Sequence, residues 1–303
     1  MQIVFDDCVL GVHGTDFEYI FSYSQGGPES LKIKGSEWVY RAPKPTFWRA
    51  TTCNDRGNHF PWRSSMWLGA DMFITVKNIE LYVDGKQLPD FRAPFNNALI
   101  GTPLEHPGSV EIVYRYETST TPATTVSVQF CIEETGKITV TASYEGKPEL
   151  PELPAFGLRF IMPDAADGYE YTGISGETYP DRMAGGVHGT YRIQGLPVTP
   201  YLVPQECGMH MQTERVTVQN GEASFTITKN DAPFAFSALP YTAEELESAT
   251  HHDELPPPHR TVLCIYGAVR GVGGIDSWGA DVCPEYHIDA AINHSFTFVI
   301  AAE

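Results

Sequence analysis

Cysteine is sparse in this 303-residue chain: six residues, at 8, 53, 131, 207, 264 and 283, show neither a Cys-x-x-Cys spacing nor the density of a disulfide scaffold. Reduced thiols in a cytoplasmic protein are the simplest expectation. Positive charge is short too, with 20 Lys and Arg against 38 Asp and Glu, and the formal charge of −18 opposes binding to nucleic acid or to an anionic membrane surface. The N-terminal Met1-Gln2-Ile3-Val4-Phe5-Asp6-Asp7 lacks the basic region and apolar core of a signal peptide, and no apolar run approaches the length of a membrane span. Also missing are a Walker loop, a dinucleotide fingerprint, a Gly-x-Ser-x-Gly elbow and any short-period repeat, which removes the readable forms of nucleotide binding, serine hydrolysis, propellers and solenoids. His251, His252 and His259 have no metal-ligand spacing on a defined element.

What is abundant is aromatic and turn-forming: 15 Tyr, 16 Phe and 5 Trp among 27 Gly and 23 Pro, a mixture that favours strands and turns. Phe17, Tyr19, Phe21 and Tyr23 alternate with Glu18, Ile20, Ser22 and Ser24, aromatics on one face at a period of two, and Trp38-Val39-Tyr40 is expected to return the chain as the end of a meander. Val126 to Ile132 should pair with Ile138 to Tyr144 across Thr135-Gly136, and Val216 to Val218 with Phe225 to Ile227 across Asn220-Gly221. The Pro-rich stretch from Gly146 to Pro154 reads as a crossover between two sheets. Thr242 with Glu245 is a capping box and opens a short helix. The expected fold is all-β, a large antiparallel β-sandwich over residues 1–303 as a single domain, with at most one or two short helices.

Four loops carry the candidate chemistry. From Ala42 to Trp67 the periodicity stops, and Arg49, Arg56 and Arg63 gather with Trp48, Trp62 and Trp67. Glu177, Asp181 and Glu206 lie in glycine- and proline-rich loops, where glycoside hydrolysis would need a carboxylate pair at a defined separation; the plainer role is to hold those loops through Arg182 and backbone amides. In Gly271-Val272-Gly273-Gly274-Ile275-Asp276-Ser277-Trp278-Gly279 two glycine-flanked turns bracket a lone tryptophan. An indole presented there suits the flat C–H face of a sugar, while a core aromatic beside a bend is the plainer alternative.

Four ordered segments, Phe47-Trp48-Arg49-Ala50-Thr51-Thr52-Cys53-Asn54-Asp55-Arg56-Gly57, Glu177-Thr178-Tyr179-Pro180-Asp181-Arg182, Pro204-Gln205-Glu206-Cys207-Gly208 and the Trp278 loop, resemble the C-terminal domain of the long β-galactosidases of the glycoside hydrolase family 2 type. That domain also exists as a separate chain, the small subunit of heterodimeric β-galactosidases. The resemblance implies a galactose mutarotase-like supersandwich that completes the active site of a large-subunit partner acting on β-galactosides such as lactose. It implies that the catalytic glutamates and the Mg and Na sites belong to that partner, with no cofactor on this chain. By the same resemblance Trp278 stacks on sugar, and the segment from Gly57 towards Ser65, including Asn58, closes near the active site. Asn54, Asp55, Arg56, Tyr179, Asp181, Arg182, Glu206 and Asp276 are then expected to fix that loop or the subunit interface. Cys53, Thr178 and Cys207 depart from the family's Asp, Asn and Asn. Two other functions fit the residues: a stand-alone mutarotase-like enzyme using His188 and Glu206, and a non-catalytic galactoside-binding module.

Overall fold

The computed structural model describes residues 1–91, 93 and 98–301. Every strand pairing in it is antiparallel, and the strands form sheets of six, ten and five. The ten-stranded sheet contains both hairpins expected from sequence. Val126 faces Tyr144 and Ile132 faces Ile138, while Val218 faces Phe225 across the Asn220-Gly221 turn. Along Thr125–Glu133 the buried side chains are Val126, Val128, Phe130 and Ile132, so the period of two places them all on the core face, each worth about 1.5–3 kcal/mol of burial. Gly136, in the turn joining this hairpin, adopts φ +85°, and a Cβ there would lie 2.4 Å from the Phe17 ring. The Tyr19 hydroxyl donates to the Gly136 carbonyl at 2.7 Å, so this turn seats the six-stranded sheet on the ten-stranded one.

The five-stranded sheet runs in the order Met209–Thr213, Phe234–Leu239, Thr261–Val269, Ala155–Met162, Arg41–Thr46. Its central members are apolar on both faces, which explains why Thr261–Val269 reads as a near-continuous hydrophobic run. Leu263 and Ile265 belong to the large core shared with the ten-stranded sheet, whereas Val262, Cys264 and Tyr266 belong to a second cluster with Tyr179 and Val272. Phe156 meets Phe296 and Phe160 meets Phe298 across the first interface. The second face is therefore roofed by the candidate loops.

Gly146 to Pro154 leads from Ile138–Tyr144 in the ten-stranded sheet to Ala155–Met162 in the five-stranded one, the crossover expected. The described residues hold three short α-helices, α1 (Cys53–Gly57), α2 (Phe60–Arg63) and α3 (Ala243–Ser248), one beyond the expected one or two. α3 begins with the Thr242–Glu245 capping box. Two expectations shift. The returning strand of the first meander is only Ser36–Glu37, with Trp38 buried beyond it and stacked on Phe225. The stretch 42–67 is not one irregular loop, because Arg41–Thr46 is an edge strand. Its Pro43 and Pro45 hid it, yet an edge is where proline is tolerated in a sheet.

Candidate functional site

The site grows from Asp55. Thr52 caps α1, accepting from the Asp55 amide while the Asp55 carboxylate accepts from the Thr52 amide, a reciprocal box that satisfies two helix-end donors. The carboxylate does more than cap. It accepts from both ends of the Arg49 guanidinium at 2.7 and 3.2 Å and from Arg270 at 2.8 Å, and all three side chains are fully buried. Burial alone would raise the Asp55 pKa. The Arg49 charge and hydrogen bonds, with the Thr52 amide and Arg270, bring it below the ordinary carboxylate value. Arg270 also donates to Glu152 at 2.6 Å, ion-pairs with Asp281 and lies over the Phe60 ring at 3.9 Å. Two guanidiniums thus share three carboxylates, the condition under which buried charge is tolerated.

This hub holds the base of the Trp278 loop. Arg49 donates to the Gly271 carbonyl at 2.7 Å. Asp181 accepts from the amides of Val272 at 3.0 Å and Gly273 at 2.8 Å, Asn54 donates to the Val272 carbonyl at 3.0 Å, and Arg182 donates to the Gly273 carbonyl. Further along, Asp276 accepts from the amides of Trp278 and Ala280, an Asx-type turn. Asp281 then accepts from Asn58 and Arg63. Gly279, at φ +86°, lies so close to Gly57 that a Cβ would stand 2.8 Å from the Gly57 carbonyl oxygen. The consequence is a loop fixed at both ends whose indole projects outward: Trp278 is 92% exposed, so the core-aromatic alternative does not hold. Trp62, on the adjoining α2, is 83% exposed, whereas Trp48 and Trp67 are core residues. Arg56 donates to Thr51 and Pro204 and so ties α1 to the next loop.

Beside the Trp278 loop opens a cavity of about 830 Å³ whose walls include Asn54, Glu177, Tyr179, Arg182, Tyr201, Glu206 and Asp276. Glu206 is buried, and burial pushes its carboxyl up to about 8 against the pull of Arg49. The Tyr179 hydroxyl donates to it at 3.4 Å. Both Asp181 oxygens are occupied by backbone amides, and Glu177 accepts from Thr199 at 2.6 Å. These carboxylates hold loops, as the plainer reading had it. His188, the mutarotase-type candidate, sits on the edge strand His188–Gln194 beside Glu214 at 3.8 Å and is not among the residues lining this cavity. Among the described residues no group of three His, Cys, Asp or Glu is arranged to hold a metal ion.

The family departures are absorbed locally. The Thr178 hydroxyl accepts from the Met211 amide, the Cys53 amide donates to the Gln205 side chain, and Cys207 packs in a small apolar cluster with Ala50, Leu239, Tyr241 and Leu246. The sequence reading missed Arg270, Glu152 and Asp281. Arg270 had a signal, a charge directly after the doubly buried run ending at Val269, where only paired charge survives. Glu152 and Asp281 had none, since their partners lie 118 and 11 residues away from them.

Comparison with known proteins agrees in extent. The Beta-galactosidase small subunit of Latilactobacillus sakei is 55% identical over 99% of this chain and 98% of its own length. The Beta-galactosidases of Lactobacillus delbrueckii subsp. bulgaricus and Halalkalibacterium halodurans are 33% and 32% identical over 99% of this chain, which spans only 28% of each. A galactose mutarotase-like protein of Lactobacillus casei overlays 96% of the chain and 99% of its own at 12% identity with a TM-score of 0.44. The profile described as beta galactosidase small chain matches residues 13–300, and it is to that family that the chain belongs.

Proposed function

We propose that this chain is the small subunit of a heteromeric retaining β-galactosidase and contributes a sugar-stacking face to an active site whose catalytic glutamates and Mg and Na sites lie on a large subunit. The observation that carries this reading is Trp278, an almost wholly exposed indole on a loop anchored by buried ion pairs and backbone hydrogen bonds. Ordering a large apolar side chain in water has a cost that a ligand or partner offsets. A pyranose ring matches an indole in area and offers C–H groups to its face. The alternating small-subunit and single-chain relatives support the division of labour, since the remaining length of the single-chain enzymes has room for a catalytic domain.

The carboxylates of the site are occupied in holding its loops: Asp181 accepts from two amides, Glu177 from Thr199 and Asp276 from the amides of Trp278 and Ala280, while Glu206 is buried under the Tyr179 hydroxyl. The chain alone is therefore inert in this reading. It acts as one domain in the cytoplasm, on terminal β-D-galactosides such as lactose, and its charge of −18 opposes nucleic acid or an anionic membrane surface as a partner; no helix of the described residues is long and apolar enough to cross a membrane. The test is to purify this chain and a large subunit separately and assay a chromogenic β-galactoside with each and with the mixture. Hydrolysis only in the mixture is expected; hydrolysis by this chain alone would move the chemistry onto the sandwich.

A further inference from the structure

The cavity beside Trp278 has a composition that loop anchoring leaves unexplained. Arg182 uses two donors, on Asp181 and Gly273, and its guanidinium keeps others while its side chain stays 42% exposed. Glu177 and Asp276 are exposed at the same walls. Tyr201, also in the lining, is 39% exposed, and its backbone is tied down: its amide donates to Thr199, whose hydroxyl binds Glu177, and its carbonyl accepts from His252. An aromatic ring on a tethered backbone, spare guanidinium donors and carboxylate acceptors surround about 830 Å³, within the range of small-molecule sites, roughly 300–1,000 Å³.

We propose that this cavity is a saccharide subsite that receives a sugar unit of a longer β-galactoside next to the one covered by Trp278. A neutral polyol matches the walls best. Hydroxyl groups accept from Arg182 and donate to Glu177 and Asp276, and a ring face lies on Tyr201, whereas an anionic ligand would meet those two carboxylates and an apolar one would leave the polar groups unpaired. The buried Glu206 carboxyl in the lining, which burial shifts towards its protonated form, adds a group able to donate as well as accept. The placement of Trp278 on sugar is taken from the proposed function; the cavity itself belongs to this chain alone.

The test is a titration of the isolated full chain with a β-linked galacto-trisaccharide, followed by backbone amide NMR, with methyl β-galactoside as the comparison. The trisaccharide should move the amide signals of Glu177, Arg182 and Tyr201 and bind more tightly than the methyl glycoside. Tyr201→Ala should weaken trisaccharide binding by about fivefold or more and remove most of that difference; Glu177→Gln should act in the same direction. Trp278→Ala should weaken both sugars alike. No shift at Glu177, Arg182 and Tyr201 up to tens of millimolar sugar, or an unchanged Tyr201→Ala affinity, overturns the subsite even where the mixture hydrolyses β-galactosides. Sugar-induced shifts at these residues together with an inactive mixture would keep the subsite and remove the complementing role.

Discussion

The carboxylate of Asp55 accepts a hydrogen bond at 2.8 Å from Arg270, a residue 215 positions further along the chain. Neither group is accessible to water, so each is the condition for the other's burial. Arg49 completes the triad and passes it to the Gly271 carbonyl. A change at Asp55 is therefore felt at once in α1 and in the Trp278 loop.

Asp55→Asn should destabilise the chain by about 3–5 kcal/mol, because two buried guanidiniums lose the charge they face. Urea unfolding of the isolated chain measures this. A loss below about 1 kcal/mol would mean that Glu152 and Asp281 alone balance Arg270.

Trp278→Ala should leave the unfolding midpoint where it is, since the indole contributes little buried area. In the assembled enzyme it should weaken substrate binding by roughly 1–3 kcal/mol. Steady-state kinetics with a chromogenic β-galactoside reads the effect, and unchanged constants would remove the stacking role.

Gly279→Ala combines a left-handed backbone with a Cβ driven to 2.8 Å from the Gly57 carbonyl. The backbone term alone is about 1–2 kcal/mol, and relief requires the two loops to part. The expected readout is faster amide exchange at 272–282 with the exchange of the Thr261–Val269 strand unchanged. Uniform acceleration of both would point to global loss instead.

Glu206 sets a pH dependence of defined sign. Its folded pKa, about 8, lies above its ordinary 4.5, so its contribution to stability is complete below pH 4.5 and is lost as the pH rises towards 8. The amount is on the order of a few kcal/mol. Wild type should lose stability relative to Glu206→Gln across that window, as read by denaturant midpoints at pH 5 and 8. Asp55, held below its ordinary value, acts in the opposite sense and only in stronger acid. Parallel curves for the two proteins would show that Glu206 is already ionised.

The sheet core was legible because its signals are local. Val126–Ile132 announces its own face by alternation, and Thr242 with Glu245 announces a helix start within four residues. Arg41–Thr46 was not, since its two prolines argue against a strand unless its edge position is known. At the site, the motifs that resemble the β-galactosidase domain pointed to Trp278, Asp55 and Asp181, and the structure gathers Asp55 and Asp181 at the base of the loop that carries Trp278. The roles of Arg270 and Asp281 arise only from contacts between segments far apart in sequence or crossing the fold, for which a single chain of letters carries no register.

Trp62 and Trp278 stand on separate segments that Asp281 stitches together through Asn58 and Arg63, with the Gly57–Gly279 contact leaving no slack between them. The two indoles consequently share one mechanical fate. Under the proposed function, a subunit seated on Trp62 would also bear on the pose of Trp278, and by thermodynamic reciprocity any effect of that subunit on sugar binding would be matched by an equal effect of sugar on the subunit. In that reading, assembly and substrate recognition would be two aspects of a single equilibrium.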